Sequence, residues 1–205
     1  NNNLPGKFKK EELNNLEIFI PINGYCMYTK KICSHYEIDK NFISKVKKEF
    51  KEISYSKSYS GEGIIISNNN VKGVLLKGID KSEKNIINFF ENYIPNVKLN
   101  KFNTNNVFIG TELAFNLNLK EGDTFSLMSS AFVATPLGGF PKQENFKVAG
   151  IFNTGFLEFD QNIVFLNLRD ALSIFDKEDK DQNIEIYLND PLKADKYKKR
   201  IQELN

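Results

Sequence analysis

Hydrophobic residues recur along this chain with two periods, one typical of helices and the other typical of strands. In Asp39–Lys51, residues Phe42, Val46 and Phe50 recur at four-residue spacing and therefore share one helical face. In Ile53–Tyr59, apolar and polar positions alternate singly, as they do along a strand whose side chains point to opposite faces. The chain therefore mixes both kinds of element from its first third onward.

The same patterns predict the remaining elements. Further helices are predicted over Lys7–Asn15, Ser82–Tyr93, Thr111–Asn118 with Thr111 as its cap, Leu168–Phe175 and Pro191–Leu204. Further strands are predicted over Leu16–Ile22, Gly63–Ser67, Val71–Ile79, Asp123–Met128, Phe146–Phe152, Asn162–Asn167 and Ile184–Leu188. Because hairpins are mixed with strand–helix units, we expect an α+β fold.

The segment between the strands Asp123–Met128 and Phe146–Phe152 is apolar, although its prolines disfavour a central strand. Pro136 and Pro141 have no backbone donor, and Gly138-Gly139 lets the chain reverse at low cost. One interpretation is a projecting segment, stiffened by proline, that loses little entropy when a partner docks. The other is a loop that folds back and plugs its own core. The residues alone leave both open.

Composition favours a folded domain and excludes several function classes. Hydrophobic residues make up 40% of the 205 positions, with 18 Phe and 8 Tyr, which is typical of a globule with a core. A net charge of +2 spread over a mixed surface offers no concentrated basic face for nucleic acid. No apolar run approaches 18 residues and no leader opens the chain, so these features alone predict a soluble cytosolic protein.

The sequence offers few candidate residues for metal binding or redox chemistry. His35 is the only histidine, so a catalytic histidine pair or a histidine-based metal set cannot form, and a surface position is expected for it. Cys26 and Cys33 are close enough in sequence to close a small loop, or they are buried free thiols. We expect free thiols, no metal and no cofactor.

Two further motifs resemble catalytic or nucleotide-binding patterns only superficially. Glu158 and Asp160 would share one face of a strand, and we expect both to face water while Leu157 and Phe159 pack inward. The segment Ser60–Gly63 has two glycines but lacks the third glycine and the strand–helix context of a dinucleotide loop. No catalytic residue is therefore expected.

Several segments resemble a known family of membrane transporters. Phe146–Phe175 looks like the periplasmic domain of the lipoprotein-releasing permeases LolC, LolE and LolF. Lys72–Asp80 and Ile109–Leu127 are similar to the extracytoplasmic core shared with MacB-type permeases. The sequence TPLGGFP, Thr135–Pro141, falls where LolC and LolF carry a hook that recruits the carrier protein LolA. LolE-type subunits lack the hook, so the chain most resembles the hook-bearing LolC or LolF type.

The resemblance implies an organisation and a set of binding residues. It implies a porter-like subdomain from residues 1–72 and 177–205, with a second subdomain, 73–176, inserted between them and carrying a protruding β-hairpin hook. A polar pad at Lys142 and Gln143 would follow the hook, although Glu144 stands where relatives are often basic. The hook residues would be Ala134, Thr135, Pro136, Leu137, Gly138, Gly139, Phe140 and Pro141.

The resemblance also implies partners and a location. The chain would be the periplasmic portion of a bacterial inner-membrane permease that is not itself catalytic. Its partners would be a LolA-type carrier, a second permease subunit, cytoplasmic ATPase subunits and a lipoprotein substrate. Two alternatives stay open: a MacB-like efflux or mechanotransmission domain, and a secreted non-catalytic binding module. Membrane helices on both sides of the domain, beside an ATPase gene, would separate the permeases from the secreted module.

We expect this chain neither to bind nor to hydrolyse ATP, because its sequence contains no nucleophile–base pair, metal-ligand set or phosphate loop. Calorimetric titration with Mg-ATP should give no saturable heat. Saturable heat at micromolar nucleotide would contradict this expectation.

Overall fold

The computed structural model describes residues 16–17, 27–30, 40–50, 54–67, 70–80, 82, 84–94, 99–136, 138–187 and 200. The chain forms two compact units, Asn1–Ser56 with Asn183–Asn205, and Lys57–Gln182. The predicted helix Lys7–Asn15, both cysteines and His35 lie outside the described residues, as does Pro191–Leu204 except Arg200, which is helical. The predicted boundaries at residues 73 and 177 stay a prediction. The strands of the first unit are β1 (Leu16–Glu17), β2 (Met27–Lys30) and β9 (Asn183–Tyr187), and β2 pairs antiparallel with both others.

The helix of the first unit, α1 (Lys40–Glu49), follows the predicted four-residue spacing. Val46 and Phe50, on that spacing, are both buried. Arg200 lies against the end of this helix, where its Nη2 donates to Glu49 Oε1 at 2.6 Å. Its guanidinium also lies 5.5 Å from the centre of the Phe50 ring, within the range of a cation–π contact.

The second unit is built around a sheet whose strands close on themselves. In the sheet their order is β3, β4, β8, β5, β7, β6, and β6 returns to pair with β3. The pairs β4–β8 and β5–β7 are parallel, whereas the other pairs are antiparallel. Helices pack on this mixed sheet, so the predicted α+β class is confirmed. The strands are β3 (Ser54–Ser67), β4 (Asn70–Ile79), β5 (Asn106–Gly110), β6 (Thr124–Thr135), β7 (Gly138–Phe152) and β8 (Ile163–Asn167), and the helices are α2 (Lys84–Tyr93), α3 (Thr111–Leu117), α4 (Leu157–Asn162) and α5 (Leu168–Ile174).

Hydrophobic side chains pack on both faces of this sheet. Along β5, Val107 and Ile109 belong to one buried cluster and Phe108, between them, belongs to another. Neighbouring residues of a strand point to opposite faces, so the two clusters lie on opposite sides of the sheet. The second cluster is largely aromatic, and Phe108 contacts the rings of Phe90 and Phe102, each at 4.7 Å between centres. The central strands are therefore buried on both faces.

The predicted separation of the strands Ile53–Tyr59 and Gly63–Ser67 is wrong. Strand β3 runs without interruption through Ser60–Gly63. Its glycines serve close packing rather than a loop, because a Cβ at Gly61 would lie 2.5 Å from Cζ of the Phe175 ring. The glycines therefore mark where a neighbouring side chain approaches the strand backbone.

The predicted cap of α3 is wrong, and α5 has a side-chain cap that the pattern did not predict. Thr111 does not cap α3: Gly110 occupies the cap position, and the Thr111 hydroxyl instead donates to the carbonyl of Phe152 at 3.0 Å. At α5 a side-chain cap is present, because Asn167 Oδ1 accepts the backbone N–H of Arg169 at 3.0 Å.

The interpretation of Glu158 and Asp160 as a water-facing pair on a strand is also wrong. Both residues lie in α4, where Glu158 is exposed but Asp160 is buried. The Asp160 carboxylate accepts the hydroxyl of Thr154 at 2.7 Å and the backbone N–H groups of Thr154 and Gly155. Leu157, expected to pack inward, is 60% exposed. Asp160 thus organises the loop before α4, a structural role that alternation could not reveal.

Gly110 permits the closest backbone approach in this region. A Cβ at Gly110 would lie 2.0 Å from the Asp160 carbonyl oxygen and 2.5 Å from its Cα, whereas a Cβ at Gly73 would meet nothing within 4 Å. Gly110→Ala should lower the free energy of unfolding by about 3 kcal/mol, because backbone cannot yield as a side chain does. Gly73→Ala, the matched control, should change it by less than about 1 kcal/mol. Urea denaturation checks both, and equal effects would contradict the close approach.

Candidate partner-docking site

Strands β6 and β7 form a long hairpin whose end carries the predicted hook. Thr135 pairs with Gly138, Ala134 with Gly139, and the pairing continues to Phe132 opposite Pro141. The predicted ends of these strands, at Met128 and Phe146, are therefore wrong, because both strands continue to the turn and Pro141 lies inside β7. Pro136 lies in the turn, and Leu137 is outside the described residues. We call Phe132–Pro141 the arm.

The arm exposes its large hydrophobic side chains. Phe132 is 67% exposed, Val133 47% and Phe140 51%, and Ala134, Pro136 and Pro141 are exposed as well. The interpretation of this segment as a plug of its own core is therefore wrong for the arm residues that the structure describes. An exposed cluster of aromatic and aliphatic side chains is typical of a site that contacts another molecule.

The root of the arm carries an irregularity in strand pairing. The register of β6 with β7 shifts between Met128 and Phe132, which leaves Ser129 without a paired residue on β7. Ser129 is buried, and its hydroxyl donates to the carbonyl of Ile174 at 2.5 Å while accepting the N–H of Ala131 at 3.1 Å. The hairpin is thereby attached to the C-terminal end of α5 at the position where the ladder shifts.

A second donor from the hairpin reaches the same helix end. The ammonium group of Lys142 donates to the carbonyl of Ser173 at 2.6 Å and lies 3.8 Å from Glu144 Oε1. A cation beside the last carbonyls of a helix is favoured by the helix dipole. Lys142 and Ser129 together therefore hold the root of the arm on α5.

The two predicted pad residues both make hydrogen bonds within the domain. Lys142 bonds to α5 as described, and Nε2 of Gln143 donates to the hydroxyl of Ser126 on the neighbouring strand at 2.6 Å. Gln143 is exposed and Lys142 is half-buried. A role of these residues in contacting a partner stays a prediction.

A buried carboxyl group, that of Asp170, lies in the first turn of α5. Burial raises the pKa of Asp170, the N–H of Asn105 opposes the shift through a 2.8 Å hydrogen bond, and the charge of Glu144 adds to it. A carboxyl whose pKa is raised by folding binds protons more readily in the folded state. Its contribution to stability is present at acidic pH and is lost as the pH rises through the raised pKa.

The sequence predicted the hook residues but not all of the exposed hydrophobic residues of the arm. The exposed hydrophobic surface begins at Phe132, before the predicted hook residues Ala134–Pro141. Ser129 carried no signal, because a serine in a strand is indistinguishable by pattern from any solvent-facing polar residue. None of the helices that the structure describes combines the length and apolar character needed to cross a membrane.

Two proteins named LolC and one solved periplasmic region are similar to this chain. It is 33% identical over 69 residues to the lipoprotein-releasing system transmembrane protein LolC of Xylella fastidiosa (strain Temecula1), an alignment that covers 34% of this chain and 17% of the relative. It is 23% identical over 137 residues to the LolC protein of Neisseria meningitidis serogroup B, covering 66% of this chain and 33% of the relative. The solved periplasmic region of MacB from Actinobacillus actinomycetemcomitans aligns with a TM-score of 0.49 and 14% identity, over 83% of this chain and 74% of that one. No protein-family model matches the chain.

The resemblance to the lipoprotein-releasing permeases is confirmed by these relatives, because the chain is similar in sequence to proteins named LolC. It matches between 17% and 33% of the length of these curated relatives. The likeness to MacB is too distant to carry a functional argument. Assignment to the hook-bearing type stays a prediction.

Removing the Ser129 hydroxyl should loosen the root of the arm. Ser129→Ala should lower the free energy of unfolding by about 1–2 kcal/mol, because a buried hydrogen bond to the Ile174 carbonyl is lost. Ser130→Ala, at an exposed neighbour, is the control and should change stability by less than about 0.5 kcal/mol. Urea melts of both variants check this, and equal stabilities would show that the bond contributes nothing.

Proposed function

We propose that this chain is the extracytoplasmic domain of a lipoprotein-releasing permease, and that its arm recruits a LolA-type carrier and helps hand over lipoproteins. The observation that carries the proposal is the exposure of Phe132, Val133 and Phe140 on a hydrogen-bonded hairpin. The similarity to LolC proteins supports the lipoprotein-releasing class. In this proposal the domain works beside a second permease subunit and cytoplasmic ATPase subunits, in the periplasm at the inner membrane, and is not itself catalytic.

The arm has the physical properties that docking requires. Its backbone is already ordered by cross-strand pairing, and its root is fixed to α5 by Ser129 and Lys142. Binding therefore costs little conformational entropy, and more of the free energy of apolar burial becomes affinity. Burial of each phenyl ring of the arm is worth roughly 1.5–3 kcal/mol.

We assign each proposed subdomain to its own segments of the chain. The inserted subdomain, 73–176, carries the hook Ala134–Pro141, and residues 1–72 with 177–205 form the porter-like subdomain. Support comes from the second unit, Lys57–Gln182, which contains the arm and the helix that holds it, and from the first unit, which is drawn from both chain ends. The hook-bearing LolC or LolF type is proposed on the same ground, because this chain has an exposed apolar hairpin at that place.

Phe132→Ser combined with Phe140→Ser tests the docking role. Both rings are exposed, so the melting temperature should fall little. Affinity for a LolA-type carrier should fall about a hundredfold or more, because two apolar side chains no longer become buried in the complex. Isothermal titration and thermal unfolding of the same protein measure the two effects.

Phe115→Ser is the matched control, because Phe115 is 81% exposed and lies on α3, outside the arm. It should bind the carrier as the wild type does. A double variant that stays folded and binds normally would remove the docking role from the arm. A double variant that unfolds many degrees earlier would show that the rings stabilise the domain itself.

A further inference from the structure

We propose that the arm captures its partner by strand addition along the outer edge of β6, through the backbone groups of Phe132 and Ala134. The occupant is an extended, uncharged segment of the carrier that adds to this edge as a further strand. The inference rests on the proposed function, since it takes the carrier as the partner, and it adds the mode of recognition.

The missing N–H of Pro141 indicates which backbone groups of the arm face outward. In an antiparallel pair, residues alternate between those that exchange both hydrogen bonds and those that exchange neither. Pro141 has no N–H, so its pair with Phe132 is of the second kind. By alternation, Val133 and Phe140 bond to each other, whereas Ala134 and Gly139 again do not. The N–H and C=O groups of Phe132 and Ala134 therefore point away from β7.

Nothing in the part of the chain that the structure describes occupies this edge. Strand β3 pairs with β6 only over Ser126–Ser129, which ends before the arm begins. The outer edge of β7 lacks a donor at Pro141, and proline on an edge is a common device against unwanted pairing. The β6 edge has no such protection, because Ala131–Thr135 contains neither a proline nor a charge. An unprotected, apolar strand edge is a template for another strand.

The side chains of the arm suit the same kind of occupant. Phe132 and Ala134 lie on one face of the hairpin, and Val133 lies on the other, because neighbouring residues alternate. Both faces expose apolar groups, since Phe132 and Val133 are 67% and 47% exposed. The ring of Phe132 lies beside Gly139, where a Cβ would be 3.6 Å from its Cδ1. An added strand would therefore meet apolar side chains on both of its faces, which favours an uncharged segment.

Backbone hydrogen exchange on the whole 205-residue chain tests the inference, with a purified LolA-type carrier as the probe. In the free protein, the amides of Phe132 and Ala134 should exchange rapidly, and those of Val133 and Phe140 should be protected. With saturating carrier, exchange at Phe132 and Ala134 should slow by about tenfold or more, while Gly139 on the opposite edge stays fast. Unchanged exchange at Phe132 and Ala134 in a carrier complex would overturn strand addition and leave docking by side chains intact.

Proline variants give a second test of strand addition. Ala134→Pro removes a donor that makes no bond within the hairpin, and should weaken carrier binding about tenfold. Gly139→Pro makes the same change on the opposite edge and should weaken carrier binding less than Ala134→Pro does. Protected amides at Val133 and Phe140 verify the hairpin in each variant, and if either hairpin is lost, exchange in the unmodified protein decides.

Three further outcomes distinguish failure of the proposed function from failure of this inference. A wild-type chain that does not bind the carrier overturns the proposed function and this inference together. Slowed exchange at Phe132 and Ala134 in the concentrated free protein would mean that a second copy occupies the edge, which overturns the carrier as occupant. Equal binding by Ala134→Pro and the wild type would exclude the edge even though the carrier binds.

Discussion

The arm exists because β6 and β7 are paired on both edges only at their roots. Over Ser126–Met128, β6 has β3 on one side and β7 on the other, and β7 pairs with β5 over Lys147–Phe152. Beyond these stretches no other strand that the structure describes pairs with them, so the two strands continue with each other as partners. Closure of the sheet thus fixes where the hairpin leaves the body of the unit, and the exposure of Phe132 and Phe140 follows.

Attachment to α5 turns this hairpin into a positioned element. The helix ends in a tight C-terminal turn with Asp176 in the left-handed region, where Lys177 N–H donates to the carbonyl of Leu172. The neighbouring carbonyls of Ser173 and Ile174 receive the donors of Lys142 and Ser129. The Ser173 carbonyl also accepts the N–H of Asp176 at 3.0 Å, so carbonyls at the C-terminal end of the helix hold the root of the arm. A held root lowers the entropy lost on binding, which is the physical basis for treating the arm as a docking site.

The spacing of hydrophobic residues predicted much of this fold. The wrong predictions have one cause in common, which is that they depend on contacts the local sequence does not show. The helices α1 and α2 and the α+β class follow from spacing, because an amphipathic face must be buried. Strand β3 was predicted in two pieces, since the role of Gly61 depends on Phe175, which is distant in sequence. Asp160 was assigned to the surface because its partners form only when the loop before α4 folds around it. The arm was located by its prolines and glycines, but the choice between projection and plug required the pairing of β6 with β7.

The central claim is that the arm's aromatic side chains are free in the isolated chain and covered in its complex. Thiol labelling of a Phe132→Cys variant, in a chain whose Cys26 and Cys33 are replaced by serine, measures this directly. A Phe115→Cys variant, at another exposed aromatic position, calibrates the labelling rate. We predict equal rapid labelling of both sites in the free chain, and labelling slowed about tenfold or more at position 132 alone when a LolA-type carrier is bound. Slow labelling at position 132 in the free chain, or rapid labelling there in the complex, would contradict the account.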